Sequence, residues 1–310
     1  MVSIRIALPK GHLWDSAKGL LDKAGYNIRM LNERSYFAYS NDPELEMRIY
    51  RAQNIPPLVE EGKYDLGISG LDWVLEHGSN LEELLDVEFG KVHIIAAIPQ
   101  SYGIKALADL KEKDDEILKE FVTKMSKEGH RIIVASEYER LTRKLMDEKF
   151  AIKKIPYKFI RSYGATEAFV KDADLIIDCV QTGKTLQDNG WEPIYKLFSS
   201  TARIIANKES LKDKQKREKI ENFLTMVRGA KDALRLRLLK MNVSEKALKN
   251  VLDVLPAMKS PTVSKLSGKD DYGYAIETAV PADEVVQIIP ILKKKGATDI
   301  LEIDLEKAVS

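Results

Sequence analysis

The residues best placed to do chemistry lie in segment 173–186. An apolar run at 175–180 is interrupted only by Asp178 and ends in Gln-Thr-Gly-Lys-Thr at 181–185. This pattern predicts a buried parallel strand that delivers an acid, followed by a glycine turn that opens a helix. Backbone N–H groups and hydroxyls in such a turn point at one place, and the helix N-terminus adds positive charge, so the turn suits a phosphate. Asp178 would then lie where it could hold the hydroxyls of a ribose attached to that phosphate.

Two other interpretations of this segment stay open. The tail Gly-Lys-Thr at 183–185 matches the end of an ATPase phosphate loop, but that motif needs a glycine where the chain has Asp178. An ordinary strand–turn–helix corner without any ligand would give the same short pattern, because such glycine motifs are common. Of the two phosphate loops, one for phosphoribosyl pyrophosphate (PRPP) fits these residues better than one for ATP hydrolysis.

Composition narrows the class of partner. The 310 residues include 49 basic and 48 acidic side chains, which leaves a formal net charge of +1. No overall field favours nucleic acid or a membrane, so we expect a small-molecule partner. The single cysteine, Cys179, excludes an intrachain disulfide framework and is predicted to lie in the core, and the four histidines lack metal-site spacing. Residues 2–8 alternate like a strand and no apolar run approaches a membrane span, which predicts a cytoplasmic protein.

The order of elements explains how distant residues could meet. Apolar strands alternate with helices, which predicts parallel sheets joined by right-handed crossovers. The predicted strands span 4–8, 45–49, 65–69, 92–98, 131–135, 175–180 and 201–206. Ligands gather at the carboxyl ends of such strands. The candidate site segments are therefore those that follow them: 9–12, 51–56, 69–72, 136–143 and 181–186.

The pattern changes after about residue 231. Leu234, Leu236 and Leu238 alternate with charged residues, which is typical of a half-buried antiparallel strand. A helix at 244–255, a turn, a strand at 272–280, a helix from Pro281 and a last strand at 299–303 follow. The order β-α-β-β-α-β resembles a ferredoxin-like module. We expect such an appended domain to regulate the protein or to build an oligomer.

Motifs along nearly the whole chain resemble those of the ATP phosphoribosyltransferase family in its long form, which carries a C-terminal regulatory domain. The landmarks are Ala-Leu-Pro-Lys-Gly at 7–11, Arg51 with Ile-Pro at 55–56, Asp-Leu-Gly-Ile at 65–68, Glu-Tyr at 137–138 with Leu-Thr-Arg at 141–143, Gly-Ala-Thr-Glu at 164–167, segment 173–186, Ser-Thr-Ala-Arg at 200–203, Lys-Ser-Pro-Thr at 259–262 and Val-Pro at 280–281. Two positions depart from the family pattern. His12 stands where the family usually has Arg, and Lys184 adds a charge at a variable position of the loop.

The resemblance implies an α/β fold in which a two-lobed core, hinged like a type II periplasmic binding protein, holds the active site in its cleft. Lobe one would comprise 1–97 and 191–222, the inserted lobe two 98–190, and a ferredoxin-like (ACT-like) regulatory domain 223–310. The implied reaction is attack by N1 of ATP on C1 of PRPP with release of pyrophosphate, the first step of histidine biosynthesis. Such a reaction needs substrates held in line, with Mg²⁺ and cations to stabilise the leaving charge, and no protein nucleophile.

The resemblance also implies roles for individual residues. The catalytic candidates are Lys10, Arg51, Glu167 and Asp178. PRPP would be bound by Asp178, Gln181, Thr182, Gly183, Lys184, Thr185 and Leu186. ATP would be bound by Lys10, Gly11, Arg51 and Asp72. Histidine, as an inhibitor, would be bound by Asn242, Met258, Thr262, Ala279 and Asp299. A homo-oligomer between dimer and hexamer is expected, and no metal ligands are assigned.

Two other function classes share parts of this pattern. A two-lobed binding protein without catalysis would have the same fold, but the missing signal peptide argues against transport. A degenerate paralogue could act as a regulatory subunit, but the intact phosphate loop and the complete C-terminal module argue against it.

Overall fold

The computed structural model describes residues 2–32, 35–78, 80–105, 111–129, 131–150, 155–255, 260–267 and 273–309. The chain divides into two compact units, of which the first comprises 1–17, 30–39 and 43–217 and the second 18–29, 40–42 and 218–310. None of the helices in the described ranges is both long and apolar enough to span a membrane.

Strands and helices alternate through most of the chain. The strands are β1 (Ile4–Pro9), β2 (Arg29–Met30), β3 (Phe37–Tyr39), β4 (Leu45–Tyr50), β5 (Leu66–Gly70), β6 (Leu81–Asp86), β7 (Val92–Pro99), β8 (Ile132–Ser136), β9 (Tyr157–Arg161), β10 (Leu175–Val180), β11 (Trp191–Ser200), β12 (Ala202–Asn207), β13 (Leu236–Val243), β14 (Thr262–Lys265), β15 (Tyr274–Pro281) and β16 (Ala297–Asp304). The α-helices are α1 (Trp14–Lys23), α2 (Ile55–Glu60), α3 (Leu71–His77), α4 (Glu116–Glu128), α5 (Glu139–Lys149), α6 (Lys184–Asp188), α7 (Lys208–Lys212), α8 (Lys214–Ala233), α9 (Glu245–Leu252) and α10 (Val285–Lys294).

The first sheet of the first unit has seven strands in the order β2-β3-β4-β1-β5-β12-β6. Strand β1 runs parallel to β4 and β5, and every residue of β5 is buried, as its apolar sequence predicts. Strand β12 lies antiparallel to β5 and β6, so the chain returns to this sheet near residue 202. The carboxyl ends of β1, β4 and β5 therefore meet at one edge.

The second sheet of this unit has five strands in the order β11-β7-β10-β8-β9. Strand β10 is parallel to β8 but antiparallel to β7, and β11 is also antiparallel to β7. The prediction of parallel sheets is therefore wrong for β7 and β11 here, and for β3 and β12 in the first sheet. A strand covered on both faces is apolar throughout whichever way its neighbours run, so composition alone does not give its direction.

Helix α4 covers one face of the five-stranded sheet. Five apolar residues that recur at helical spacing along it are all buried: Ile117, Leu118, Phe121, Val122 and Met125. The helix begins at Glu116, after the charged segment at 111–115. On the opposite face of the sheet, Leu186 of α6 shares a core with Ile176 and Trp191.

The chain passes between the two sheets twice. Strand β6 ends at Asp86 in the first sheet and β7 begins at Val92 in the second. Strand β11 ends at Ser200, and after Thr201 the chain re-enters the first sheet as β12. The predicted boundaries assign most residues of β7 and β11 to lobe one. Both strands nevertheless pair within the five-stranded sheet, which belongs to lobe two.

The second unit contains a four-stranded antiparallel sheet in the order β14-β15-β13-β16. Its helices α9 and α10 share a core with the sheet that includes Leu239, Ile276 and Leu292. The predicted order of elements is present, with several shifted boundaries and one strand, β14, that the sequence did not place. The helix expected from Pro281 begins at Val285, because Pro281 ends β15. The strand expected from Leu234 begins at Leu236.

Segments 18–29 and 40–42 join this unit through specific contacts with α8. The rings of Tyr26 and Phe223 lie 5.0 Å apart. Lys219 Nζ donates a hydrogen bond of 2.8 Å to the carboxylate of Asp42. The second unit is therefore larger than the predicted regulatory segment 223–310.

Asp65, directly before β5, is a fully buried acid with a complete set of partners. Its carboxylate accepts hydrogen bonds from the Arg5 backbone N–H at 2.8 Å and from Ser210 Oγ and Lys216 Nζ at 2.7 Å each. Burial alone would raise the pKa of Asp65, but Lys216, the Arg5 backbone and Ser210 together hold it below its usual value.

We expect Asp65→Asn to lower the free energy of unfolding at neutral pH by about 3 kcal/mol, because it leaves a partly buried Lys216 without its counter-charge. A depressed carboxyl pKa contributes stability above the unfolded-state value of 3.8, and this is lost as the pH falls through the folded-state value. Urea unfolding at neutral and strongly acidic pH measures both effects, with the exposed Asp172→Asn as control. A difference between parent and variant that does not shrink on acidification would contradict the ionic role.

Candidate active site

A cavity of about 350 Å³ opens in the first unit. It lies where β1, β4 and β5 end and where β8 and β10 approach from the second sheet. It is lined by Lys10, Gly11, His12, Leu13, Arg51, Ala52, Gln53, Gly70, Asp72, Trp73, Gly90, Val92, Glu137, Tyr138 and Cys179. The structure therefore brings together Lys10, Gly11, Arg51 and Asp72, the four residues that the sequence predicted to bind one substrate.

The chain turns sharply after β1 to present the first of these residues. Lys10 donates its backbone N–H to the carbonyl of Tyr50 at 2.6 Å, which ties the ends of β1 and β4 together. Gly11 has a φ of +82°, a left-handed conformation that favours glycine. The Lys10 ammonium is exposed and lies 4.8 Å from the centre of the Tyr36 ring, and no acid within the described ranges forms an ion pair with it.

The carboxylate of Asp178 lies close enough to Glu137 and Glu167 to feel their charges. Burial raises the pKa of Asp178 to about 7; the Cys179 backbone N–H lowers it, and the charges of Glu167 and Glu137 raise it further. Burial also raises the pKa of Glu137, against a hydrogen bond from the Gly164 backbone and the charges of Arg51 and Arg161.

Cys179 is half-buried, packs against the core and also lines the cavity. Burial, with Asp72 and Asp178 nearby, raises the pKa of its thiol to about 12. A thiol that stays protonated at neutral pH is a poor nucleophile. The predicted core position is correct in part, because one side of the residue faces the cavity.

The turn after β10 has the form that the sequence predicted. Gly183 has a φ of +77° and is the N-terminal cap of α6. Gln181, Thr182, Lys184 and Thr185 are all exposed. Leu186 is only 2% exposed and packs in the core beside Trp191. Its side chain is therefore unavailable to a ligand, and among its groups only the backbone could contact a phosphate.

Glu167 lies in a short 3-10 helix, Thr166–Lys171. Its carbonyl accepts a hydrogen bond of 2.8 Å from the indole N–H of Trp191. Gly164 and Ala165 before it both have positive φ, +96° and +48°. This tight turn holds the half-buried Glu167 beside Asp178.

The family model described as ATP phosphoribosyltransferase matches residues 51–229, and that described as HisG, C-terminal domain, matches residues 233–307. Proteins named ATP phosphoribosyltransferase from Pelotomaculum thermopropionicum and Desulforudis audaxviator are 36% and 37% identical, over 99% of this chain and 100% of each relative. One from Methanocaldococcus jannaschii is 37% identical over 98% of this chain and 99% of the relative.

The chain belongs to the ATP phosphoribosyltransferase family.

As a member of that family it is an enzyme, a phosphoribosyltransferase. A solved structure of the ATP phosphoribosyl transferase (HisG:HisZ) complex from Thermotoga maritima has a TM-score of 0.55 and 19% identity, covering 72% of this chain and 98% of that chain. This likeness shows a shared fold. The family models and the three named relatives confirm the family resemblance noted from the sequence.

Several residues that line this cavity of the phosphoribosyltransferase received no role from the sequence. Glu137 and Tyr138 follow β8, and Trp73 stacks on Tyr138 with ring centres 4.5 Å apart. The expectation that ligands gather at the carboxyl ends of strands did place 136–143 and 69–72 among the candidate segments. It could not say which side chains would turn inward, because that depends on the start of the helix that follows.

The residues predicted to bind histidine lie in the second unit. Asn242 pairs with Ala275 across β13 and β15, and Thr262 pairs with Glu277 across β14 and β15. Because side chains alternate along a strand, Asn242, Thr262 and Ala279 share the face of the sheet opposite the buried Ile276. Asn242 Nδ2 donates a hydrogen bond of 3.0 Å to the carboxylate of Asp299. Met258 lies outside the described residues.

Proposed function

We propose that this enzyme joins N1 of the adenine of ATP to C1 of PRPP, with release of pyrophosphate, as the first step of histidine biosynthesis. The observation that carries the proposal is the cavity lined by Lys10 and Arg51 from one sheet and by Glu137 and Cys179 from the other, with Asp178 directly before Cys179 on β10. Cations on one side suit triphosphate or pyrophosphate, and a buried acid beside a glycine turn suits a ribose with its 5-phosphate.

In the proposed mechanism the chain binds, orients and neutralises charge, and forms no covalent bond to substrate. The backbone N–H groups and hydroxyls of the turn at 181–186 bind the 5-phosphate, and Lys184 adds a charge there. Asp178 accepts hydrogen bonds from the ribose hydroxyls, and Glu167 supports that contact. Because N1 is held in line with C1, the bimolecular substitution proceeds as an effectively unimolecular step. Lys10 and Arg51 stabilise the negative charge that builds on the departing pyrophosphate.

We further propose Mg²⁺ as the cofactor, carried into the site on the pyrophosphate oxygens of PRPP. The carboxylates of Glu137, Glu167 and Asp178 would repel a bare pyrophosphate, and a divalent cation removes that repulsion. Phosphate oxygens are the ligands that Mg²⁺ prefers. When bound, the ion supplies charge neutralisation of the leaving group.

The finer features of the fold are proposed on the same basis. A hinge of the type II periplasmic-binding-protein kind is supported by the two sheets of the first unit and the two crossings between them. A ferredoxin-like (ACT-like) regulatory domain is supported by the order β14-β15-β13-β16 with two helices on one face. We also propose a cytoplasmic homo-oligomer, from dimer to hexamer, in which histidine acts as feedback inhibitor.

We expect the double variant Asn242→Ala with Thr262→Val to lose histidine inhibition while substrate kinetics stay near those of the parent. A free amino acid offers an ammonium and a carboxylate, which need short polar groups at the ends of strands. The half-maximal inhibitory concentration should rise roughly tenfold or more, since two hydrogen bonds are removed. Thr225→Val on α8, whose hydroxyl donates to the Glu221 carbonyl, is the matched control. Unchanged inhibition would place the effector site elsewhere.

The reaction itself is tested by incubating the purified protein with ATP, PRPP and Mg²⁺ and identifying products by mass spectrometry. We expect an N1-phosphoribosylated ATP and pyrophosphate in equal amounts, and neither when PRPP is omitted. A binding protein with the same fold would bind both substrates and release them unchanged.

A further inference from the structure

Three buried side chains from different elements meet at the wall of the cavity. Tyr138 Oη donates a hydrogen bond of 2.8 Å to Asp72 Oδ2, and Ser200 Oγ donates one of 2.6 Å to Asp72 Oδ1. Asp72 is 4%, Tyr138 2% and Ser200 1% exposed. Both carboxylate oxygens of Asp72 therefore already have partners within the protein.

These contacts join the two sheets of the first unit. Asp72 follows β5 of the seven-stranded sheet, Tyr138 follows β8 of the five-stranded sheet, and Ser200 ends β11 where the chain crosses between them. The Asp72 backbone N–H also donates to Ser200 Oγ at 3.0 Å, and the Leu71 N–H donates to the Thr201 carbonyl at 3.0 Å. The hydrogen bonds thus span both sides of the cavity and one of the crossings.

The backbone next to Asp72 leaves room for this arrangement only because residue 70 is glycine. A Cβ at Gly70 would lie 2.2 Å from Asp72 Oδ1 and 3.5 Å from Ser200 Oγ. Since Gly70 has an ordinary φ of −66°, its conformation would suit any residue, and the need for glycine is one of space.

A second set of hydrogen bonds continues from Tyr138 toward Asp178. The Tyr138 backbone N–H donates to Ser136 Oγ at 2.9 Å, and Ser136 Oγ donates to the Ile177 carbonyl at 2.5 Å. Ile177 directly precedes Asp178. The position of the seven-stranded sheet is therefore linked, through buried groups, to the position of the acid that we propose to hold ribose.

We propose that Asp72, Tyr138 and Ser200 form a latch that fixes the two sides of the catalytic cavity relative to each other. In this role Asp72 is a positioning residue and not an ATP ligand, which revises the role that the family resemblance implied for it. The inference rests on the proposed reaction. Stacking of Trp73 on the Tyr138 ring holds the phenol in place. Burial, followed by the charge of Asp72, keeps the pKa of Tyr138 well above its usual value, so the phenol remains a donor.

The sharpest test uses Tyr138→Phe, which removes the donor and keeps the ring and its stacking. We expect kcat to fall about ten- to a hundredfold and KM for both substrates to rise, because a misplacement between the two sides affects both. If the latch acts as a unit, the double variant Asp72→Ala with Tyr138→Phe should be no slower than Asp72→Ala alone. Tyr102→Phe is the matched control, because Tyr102 Oη donates to Asp174 at 2.5 Å and lies outside the cavity lining. Its kinetic constants should stay within about twofold of the parent.

Amide hydrogen exchange without substrates gives an independent readout. Tyr138→Phe should speed exchange both at 71–75 and at 139–142, whereas Tyr102→Phe should change neither. Additive kinetic effects, exchange that matches the control, or an Asp72→Asn variant that raises KM for ATP alone would each overturn the latch. A parent protein that forms no product would overturn the proposed reaction and leave the exchange test intact.

Discussion

The Asp178→Asn variant should be almost inactive and yet more stable than the parent protein at neutral and alkaline pH. Burial raises the pKa of Asp178 to about 7 in the folded protein, against 3.8 for an ordinary aspartate. Asn keeps the shape and one acceptor but cannot become charged. We expect kcat/KM for PRPP to fall roughly a hundredfold or more, since charge-assisted hydrogen bonds to two hydroxyls are weakened.

The stability effect follows from the direction of the shift. Between pH 4 and 7 the folded state retains the Asp178 proton and the unfolded state releases it, so the stability of the parent falls as the pH rises through that window. The Asn variant lacks this loss, so at pH 8 it should be more stable by roughly 1–3 kcal/mol. Chemical unfolding across the pH range measures this, with Asp172→Asn as the control. If the variant lost stability and activity together, Asp178 would have a structural role and not the proposed role in ribose binding.

The Gly183→Val variant should lose PRPP binding while remaining folded. Gly183 has a φ of +77°, and a β-branched residue rarely adopts that conformation, so the turn that caps α6 would change shape. The nearest atom to an added Cβ is 3.9 Å away, so strain and not a clash is the cause. We expect the dissociation constant for PRPP, measured by calorimetry, to rise about a hundredfold because several backbone donors move together.

Gly103 provides a control with the same backbone strain away from the loop. It has a φ of +73° and no atom within 4 Å of an added Cβ. Gly103→Val should therefore lose a similar amount of stability, about 1–2 kcal/mol, and keep its PRPP affinity. Equal PRPP affinities for the two valine variants would show that the turn is not part of the PRPP site.

Much of the fold could be predicted because buried elements and turns have characteristic local sequence patterns. The apolar run at 175–180 and the glycine after it predicted β10, the turn and α6, and the five apolar residues of α4 all face the core. The sequence of strand β11 has no such regular pattern. It contains Pro193, and its pairing with β7 shifts register twice, so its apolar residues do not alternate regularly. Strand β14 is exposed at every residue and carries little apolar signal.

The candidate site was predictable where it depends on the ends of strands. Lys10, Arg51 and Asp72 do line one cavity, as that rule and the family resemblance implied. The contact between Asp72 and Ser200 joins residues 128 positions apart, and nothing in either local sequence indicates it. A buried hydroxyl–carboxylate contact depends on how two sheets pack, so pattern analysis of single segments misses it.

The pairing of Val92 with Ser200 gives segment 92–200 a practical property. These residues begin β7 and end β11, and they are direct cross-strand partners. Their Cα atoms are thus about 5 Å apart, the distance between neighbouring antiparallel strands. A short turn could join them, and new termini could be opened in an exposed loop of the segment. Segment 92–200 could therefore be circularly permuted without a long linker. It could also be exchanged as a unit for the corresponding segment of a relative.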